Sequence, residues 1–435
     1  MEGAAMSRLI QNLEQRHRQF DVVAPDTADV SEWFANELLN FPRLAASLSA
    51  LSYYTLRTPG VRPVLRVSAS YEPHALSCPA ILVRSAFELV TAVSLYLRLH
   101  LPRIKLVIDN RSGLIPETNR FSVIHACEEY VGEDLQIHQQ SVSRSRFQSL
   151  FQHRVVMYTL ETVYFDSAKE VNDLSCLLAE QAARIRRSAG GNTKAMLHAI
   201  LSWLRQNVEY RKNGRLSDHS AVGLVKNGTA VCQGIAAYVY QLLCFCGVHA
   251  RYVKGQGFDG DSWGNHGWNM AFVDGRWVHL DFTFELHSRA SSLIKPEREF
   301  RMDHRWDEAL YQPSLSTEIL STKTTLNHSV FQLRPDRPDF SVNGCVVDMA
   351  GRSPVCVTLQ GVPHVALFDL FSMCGGCFQL KGDTMWLYAG TNRYSIPLSD
   401  FTYRDGTWYF PMVRLPELGF YVQAESLAVS VRRAG

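Results

Sequence analysis

The sequence lacks an excess of charge of either sign. Its 435 residues include 44 Lys and Arg against 42 Asp and Glu, a formal net charge of +2. Without a basic surplus there is no electrostatic footprint for nucleic acid, and we expect no nucleic-acid partner. With 46% apolar and 20% charged residues the composition is that of a folded globular protein, not of a disordered chain. The length predicts two or three domains.

Long apolar runs are also missing. The first residues, MEGAAMSRLIQNLEQRHRQFDVV, carry charges throughout and have no apolar centre of the kind that a signal peptide needs. No later run is long enough to cross a bilayer. The sequence therefore predicts a protein without a membrane span, and we expect it in the cytoplasm.

The cysteines do not form a framework. Ten of them are scattered over the whole chain, which predicts reduced thiols and not disulfides. Cys374 and Cys377 make the single C-x-x-C motif, and without a second pair we interpret them as two neutral thiols at a tight turn. We expect no metal and no cofactor.

The chemistry of the chain is concentrated between Asn227 and Glu285. Cys232 follows the short segment GTAV and precedes a run of apolar residues with helical period, so it is predicted to lie in the first turn of a buried helix. The positive end of the helix dipole and the unpaired N–H groups there favour a thiolate, the nucleophilic form. Cys244 and Cys246, further along the same helix, are interpreted as small buried hydrophobic residues.

A hairpin follows this helix. Asp274-Gly275 separates the strand HGWNMAFV from RWVHLDFTF, a strong signal for a two-residue turn. If Val273 faces Arg276, one side of the ribbon carries four side chains: His266, Trp268, Asp281 and Thr283. His266 and Asp281 are then diagonal neighbours, near enough for the carboxylate to orient the imidazole. Together with Cys232 they make up a nucleophile, a base and an orienting acid.

Other residues compete for the roles of base and acid. His279 shares the same face of the ribbon, but it lies opposite Met270 and is predicted to be a core or rim histidine. Asp259 and Asp261 could orient the base, yet they lie in the Gly-rich segment GQGFDGDSWGN, where Asp commonly serves turns. We therefore predict Cys232, His266 and Asp281 as the catalytic residues.

These strings resemble a known family. GTAVCQGIAAYVYQLL, HGWNMAFVDGRWVHLDFTF and the upstream DHSAVGLV are similar to the transglutaminase-like superfamily, in particular its bacterial members, over about residues 168–307. The resemblance implies an α+β fold with a papain-like core, a helix packed on an antiparallel sheet, and the same three roles for Cys232, His266 and Asp281. Gly267 departs from the Ala, and Phe284-Glu285 from the Trp-Asp, that are common in the family. HRWD, at 304–307, resembles a segment that closes the domain and is interpreted as structural.

The remaining chain predicts flanking modules. We place an N-terminal α/β domain of unknown role at 1–167, the catalytic domain at 168–312, a Pro- and Ser/Thr-rich linker at 313–338 and a β-rich module at 339–435. The last module contains two copies of one unit, at 361–390 and 406–431, and is similar to the copper amine oxidase N-terminal-like domain, an accessory module without catalytic copper.

The predicted activity is attack on a carboxamide or peptide carbonyl of a peptide or protein substrate through an acyl-thioester. Release to water is the first prediction, because crosslinking needs a second site that holds an amine and excludes water. Amine transfer, as in a protein-glutamine transglutaminase, is the alternative, and the loop 255–265 would control the acceptor. A third possibility is a peptide-binding scaffold without catalysis.

Overall fold

The computed structural model describes residues 2–24, 29–72, 78–118, 140–287, 293–308, 311, 329–349, 352–424 and 428–433. A helix predicted at 121–131 lies outside these ranges, as do residues 313–328 of the predicted linker. Within the described ranges, no helix is both long enough and apolar enough to cross a membrane.

The N-terminal segment mixes helices with mostly antiparallel strands. Strands β1, β3 and β2 form a separate three-stranded sheet, while β4 and β5 run parallel and are connected by helix α4. Its elements are α1 Glu2–Glu14, β1 Gln19–Val23, α2 Val30–Leu39, α3 Pro42–Ser47, β2 Leu48–Leu56, β3 Val64–Tyr71, β4 Ala80–Val83, α4 Ala86–Arg98, β5 Arg103–Asp109, β6 Gln140–Leu150 and β7 Val155–Tyr164.

The middle segment contains the predicted core, a helix packed on an antiparallel sheet. Helix α8 lies against β10 and β11 of a four-stranded sheet with the order β12-β11-β10-β13. The elements are α5 Ala168–Ala189, α6 Thr193–Asn207, β8 Glu209–Tyr210, α7 Ala221–Asn227, β9 Thr229–Ala230, α8 Cys232–Phe245, β10 Ala250–Phe258, β11 Trp263–Val273, β12 Arg276–Leu280, α9 Phe282–His287, α10 Glu297–Phe300 and β13 His304–Trp306.

The ends of α5 follow from its sequence. The Ser167 hydroxyl accepts a hydrogen bond from the Glu170 N–H, and the Glu170 carboxylate accepts one from the Ser167 N–H, a capping box that fixes the first turn. Gly190 ends the helix with a φ of 57°, a left-handed conformation that glycine adopts without strain. Asn192 then caps α6 through the Ala195 N–H.

The C-terminal segment is built mainly of strands and repeats one order of elements. Both predicted copies run strand, short helical turn, glycine, strand, strand: β18-α11-β19-β20 in the first, and β23, a 3-10 turn at Met412–Leu418, β24 and β25 in the second. The elements are β14 Val330–Leu333, β15 Asp339–Val342, β16 Cys345–Asp348, β17 Cys356–Leu359, β18 Val362–Ala366, α11 Leu367–Met373, β19 Cys377–Lys381, β20 Thr384–Ala389, β21 Asn392–Pro397, β22 Thr402–Arg404, β23 Thr407–Pro411, β24 Phe420–Ala424 and β25 Val429–Arg433.

One nine-stranded sheet joins the two segments that flank the core. Its order is β24-β25-β14-β15-β16-β4-β5-β7-β6, and β16 pairs with β4 through Val347 with Ile81 and Asp348 with Ala80. Strand β14 begins at Val330, inside the predicted linker 313–338, so the last part of that linker belongs to the sheet. The boundaries drawn from the sequence stay predictions; pairing between strands so distant along the chain leaves no local signal.

Candidate active site

Cys232 occupies the first turn of α8, as its sequence context predicts. Val231 precedes the helix in extended conformation, with φ −91° and ψ 175°, and its side chain makes no capping hydrogen bond. The first N–H groups of the helix are thus not taken by a capping side chain. The chain arrives there through the short parallel pair β8 and β9.

The segment just before the nucleophile is braced by Asp218. Its carboxylate accepts hydrogen bonds from the Thr229 hydroxyl at 2.6 Å and from the Arg215 N–H at 2.7 Å, while its carbonyl accepts from the Val231 N–H at 3.0 Å. Gly234 packs against the same carbonyl: a Cβ at that position would lie 2.5 Å from the oxygen. The glycine of the Cys-x-Gly motif is therefore required by close packing. The contacts of Asp218 with Thr229 and Val231 hold the backbone just before Cys232 in place.

The hairpin has the predicted register, but its second strand ends at Leu280, before the last two predicted pairs. Val273 pairs with Arg276 and Asn269 with Leu280. Asp281 then begins helix α9, and its Oδ1 accepts the N–H groups of Thr283 at 2.8 Å and Phe284 at 3.1 Å. The expected pairs of Trp268 with Asp281 and of His266 with Thr283 are not formed, because Asp and Thr here serve a helix N-terminus and not a strand.

His266 and Asp281 nevertheless meet. The Nε2 atom of His266 lies 2.8 Å from Oδ2 of Asp281, and only 7% and 4% of the two side chains are exposed. A carboxylate accepts only, so Nε2 carries the proton and Nδ1 is the ring nitrogen left for the thiol. The structure thus brings the three predicted site residues into one cluster.

The thiol of Cys232 is hydrogen-bonded to His266. Burial raises the pKa of this thiol, but the hydrogen bond and the charge of His266, joined by a hydrogen bond from the Gly267 N–H, outweigh burial and leave the pKa below its ordinary value. The pKa of His266 moves the opposite way: burial lowers it, and the hydrogen bonds and charges of Asp281 and Cys232 raise it to about 10. Between these two pKa values the pair is a thiolate and an imidazolium.

Asp281 stays ionised although it is buried. Burial raises the pKa of its carboxyl, yet the hydrogen bonds and charges of His266 and His304 hold it well below its usual range. Its two oxygens accept four hydrogen bonds between them: two from backbone N–H groups at Oδ1 and two from imidazoles at Oδ2. The carboxylate is fully satisfied and is fixed in one orientation.

His304 is a residue of this cluster that the sequence interpretation misses. Its Nε2 lies 2.9 Å from Oδ2 of Asp281, and its side chain is completely buried. In the sequence analysis HRWD is interpreted as structural. Its first three residues form strand β13, which pairs with β10. The available signal is the resemblance of this segment to the family; its approach to Asp281 depends on a pairing that the sequence does not reveal.

The competing residues lie outside the cluster. His279 accepts a hydrogen bond from Trp268 Nε1 at 2.9 Å, and burial, together with the charges of His304 and Arg301, lowers its pKa to about 3, so it is a neutral core histidine. Asp259 pairs with Lys212 and accepts the N–H groups of Asp261 and Ser262, which is the work of a turn residue.

The walls around the thiol are aromatic. Tyr210 lies close enough that, after burial, the charges of Cys232 and Asp281 are the main causes of its raised phenol pKa. The ring of Phe284 lies 5.0 Å from that of His266. The predicted loop 255–265 is mostly strand, since β10 extends to Phe258 and β11 begins at Trp263, so only a short turn remains there.

The remaining cysteines divide differently from the expectation. Cys246 is buried, with 4% exposed, and burial raises its pKa to about 11. Cys244 is exposed, contrary to the prediction, because it alone on the last turns of α8 faces away from the core. Cys374 and Cys377 are both buried, and the Cys377 thiol is hydrogen-bonded to Cys176 of α5.

His266, Asp281 and His304 are also a candidate metal-ligand group, since one ligand atom of each lies within 4.8 Å of the others. The short distances have a simpler cause, because the two imidazoles share Oδ2 of Asp281 as their hydrogen-bond acceptor. A cation would have to displace both of these hydrogen bonds.

Residues 179–282 match the model of the Transglutaminase-like superfamily, so the chain contains a transglutaminase-like domain. No curated protein matches the chain. Among solved structures, similarity is found to a candidate cysteine protease from Cytophaga hutchinsonii, with 18% identity, 40% of this chain and 70% of that chain covered, and a TM-score of 0.24. A protein described as a TGase matches with 12% identity, 46% of this chain and 56% of that chain covered, and the same TM-score of 0.24. With similarity to the structures this low, the assignment of the domain rests on the family model.

The matched family is one of cysteine-based enzymes, and the region it covers includes Cys232, His266 and Asp281.

Proposed function

We propose that this protein is a cysteine-dependent enzyme that attacks the carbonyl of a carboxamide or peptide with Cys232 and releases the acyl group to water. The observation that carries the proposal is the hydrogen-bonded chain from the Cys232 thiol through His266 to the buried Asp281 carboxylate. A thiolate paired with an imidazolium at a helix N-terminus is an activated nucleophile.

Each step of the reaction has a group to perform it. Cys232 Sγ attacks the carbonyl carbon, and the N–H groups of the first turn of α8, which no capping side chain occupies, donate to the oxyanion. His266 gives its Nδ1 proton to the leaving amine, which departs and leaves a thioester. His266 then takes a proton from water, the hydroxide attacks the thioester, the carboxylic acid leaves, and the thiolate–imidazolium pair is restored.

Hydrolysis is preferred to amine transfer because water needs no binding site, whereas an amine acceptor must be held while water is excluded. The turn between β10 and β11 spans only a few residues, which is little material for a lid over an amine site. Amine transfer is retained as the second candidate, supported by the family model over residues 179–282.

Thiol labelling tests the activated nucleophile. Cys244 is the matched comparator because it is exposed and lies near the opposite end of the same helix from Cys232. Iodoacetamide should label Cys232 at neutral pH at least about tenfold faster than Cys244, since each unit of lowered pKa gives about ten times more thiolate. His266→Ala should remove the advantage. Equal labelling rates for the two cysteines would contradict an activated nucleophile and favour the alternative, a peptide-binding scaffold without catalysis.

The acceptor is tested with a Gln-containing peptide and a labelled primary amine. Ammonia release that exceeds amine incorporation is the expected result. Incorporation that outpaces the release of free acid would establish transfer and overturn hydrolysis. Cys232→Ser is the control in both assays, because it retains the shape of the site and lacks the thiolate.

A further inference from the structure

His304 and His266 contact the same oxygen of Asp281 from two sides. The distances to Oδ2 are 2.8 Å from His266 Nε2 and 2.9 Å from His304 Nε2. The other ring nitrogen of His304, Nδ1, lies 2.5 Å from Oδ1 of Asp303. His304 is therefore placed between two carboxyl groups: Asp281, with 4% of its side chain exposed, and Asp303, with 31% exposed.

Counting protons fixes the state of this ring. An ionised carboxylate has lone pairs but no proton to give, so each imidazole nitrogen that bonds to one must be a donor. His304 bonds to Asp281 with Nε2 and to Asp303 with Nδ1. Both nitrogens must then carry protons, which makes His304 an imidazolium enclosed between two aspartates.

From this arrangement we propose that His304 is a positioning residue of the Cys232 site: as a buried imidazolium held by Asp303, it fixes Asp281 and offsets part of the charge that Asp281 presents to His266. It touches neither substrate nor thiol. Its effect on Cys232 passes through Asp281 and His266, the two groups that activate the nucleophile.

The packing leaves the ring no other orientation. Phe300 stacks on His304 with centroids 3.8 Å apart, and Trp268 meets it edge-on at 4.9 Å. The charged or titratable groups around it are Asp281 before α9, Asp303 before β13, His266 on β11 and His279 on β12. Only the two aspartates can accept its protons, since the nearer histidine, His266, donates to the same Asp281 oxygen.

The magnitude follows from the distance between the rings. The centroids of His266 and His304 are 5.6 Å apart. At an effective dielectric constant of about 20, a unit charge at that distance changes a pKa by about two units. Without the charge of His304, Asp281 would hold the proton of His266 more tightly, and the imidazolium would release it less readily to a leaving group.

The protonation state can be measured directly. Long-range proton–nitrogen spectra of protein labelled with ¹⁵N-histidine at pH 8, assigned with His304→Gln, should show both ring nitrogens of His304 protonated. His279 is the internal reference, because it accepts from Trp268 at Nδ1 and should be neutral with its proton on Nε2. A neutral His304 at pH 8 would overturn the proposal.

The effect on His266 is measured in a Cys232→Ala background, where the thiolate no longer raises its pKa. Adding His304→Gln, which keeps a neutral donor, should raise the pH at which His266 titrates by about 1–2 units. His279→Gln is the matched control and should leave it unchanged. If His304→Gln fails to fold, Asp303→Asn should move His266 in the same direction by less. An unchanged or lowered titration contradicts the proposal.

This inference rests on the proposed function, because a positioning role presupposes that Cys232 is a nucleophile. The tests of the inference do not depend on activity. The titrations require no turnover, so they can fail while Cys232 still shows rapid alkylation, and they can succeed in a protein whose substrate is never found. The two failures are therefore separable.

Discussion

Oδ2 of Asp281 lies 2.8 Å from Nε2 of His266, although Asp281 lies just beyond strand β12, which ends at Leu280. The contact is possible because Asp281 opens helix α9, where Oδ1 takes two backbone N–H groups and turns Oδ2 toward the imidazole. One aspartate thus ends a strand, starts a helix and orients a base. Its replacement should therefore affect chemistry and local structure in distinguishable ways.

Asp281→Asn should greatly reduce the reactivity of Cys232 while the fold persists. The amide oxygen can keep the N–H groups of Thr283 and Phe284, which leaves the amide NH₂ facing His266. Nε2 must then accept, and the proton moves to Nδ1, so the imidazole can no longer take the thiol proton. Alkylation at neutral pH should fall by about 10²-fold or more. Unchanged alkylation with an unchanged circular dichroism spectrum would contradict this.

Gly267→Ala should destabilise the protein although Ala is common at this position in the family that the sequence resembles. A Cβ would lie 2.5 Å from the hydroxyl oxygen of Tyr252, a side chain that is only 4% exposed and cannot swing away. We expect a loss of about 1–3 kcal/mol in the free energy of unfolding, measured with urea.

Tyr252→Phe provides the control for that substitution. It removes the clashing oxygen, so Gly267→Ala should cost less in a protein that already carries Tyr252→Phe than in the parent, although the ring carbon at 3.1 Å remains tight. Equal costs in the two backgrounds would show that the strain arises elsewhere, for example in the Gly267 N–H that donates to Cys232.

His279→Gln should make the free energy of unfolding fall less steeply as the pH is lowered below neutrality. Because the folded pKa of His279 is lowered to about 3, the unfolded chain binds its proton first as the pH falls. The stability that comes from the neutral ring is complete above pH ~6.5 and is lost toward pH 3, by up to about 1.4 kcal/mol per pH unit. Urea unfolding at pH 7, 5 and 4 should show a shallower decline for the variant, whose amide oxygen can still accept from Trp268. Parallel curves would be inconsistent with a neutral buried ring.

Asn172→Ala should weaken the contact between the core and the C-terminal segment. Asn172 on α5 donates to the Phe378 carbonyl at 2.7 Å and accepts the Phe378 N–H at 3.1 Å, so one side chain satisfies both backbone groups of a residue on β19. Its loss should cost about 1–3 kcal/mol in the free energy of unfolding. Asn172→Asp keeps the acceptor and should cost less than Ala under low-salt conditions. A cost near zero for both variants would show that water replaces the side chain.

The local features of the core are readable from the sequence because each depends on neighbours. The period of the apolar residues predicts α8 with Cys232 at its start, and Asp274-Gly275 predicts the register of the hairpin down to Leu280 with Asn269. The predicted pairing fails at the next residue, Asp281, because the sequence around an aspartate does not show whether it continues a strand or starts a helix. The prediction for Cys244 is wrong for a related reason: apolar composition marks a buried helix but not the one position that faces out.

The sequence by itself determined the local setting of the proposed site residues: a cysteine at a helix start, then a histidine on a hairpin of predictable register, with an aspartate directly after the second strand of that hairpin. Those are short-range facts, set by helix period, turn type and the alternation of strands. Only the tertiary structure decided what surrounds them. The pairing of β13 with β10 places His304 against Asp281, and the pairing of β16 with β4 joins both flanking segments in one sheet. Contacts of this kind are selected by packing and loop closure across the whole chain, and they are not encoded in any one stretch of it.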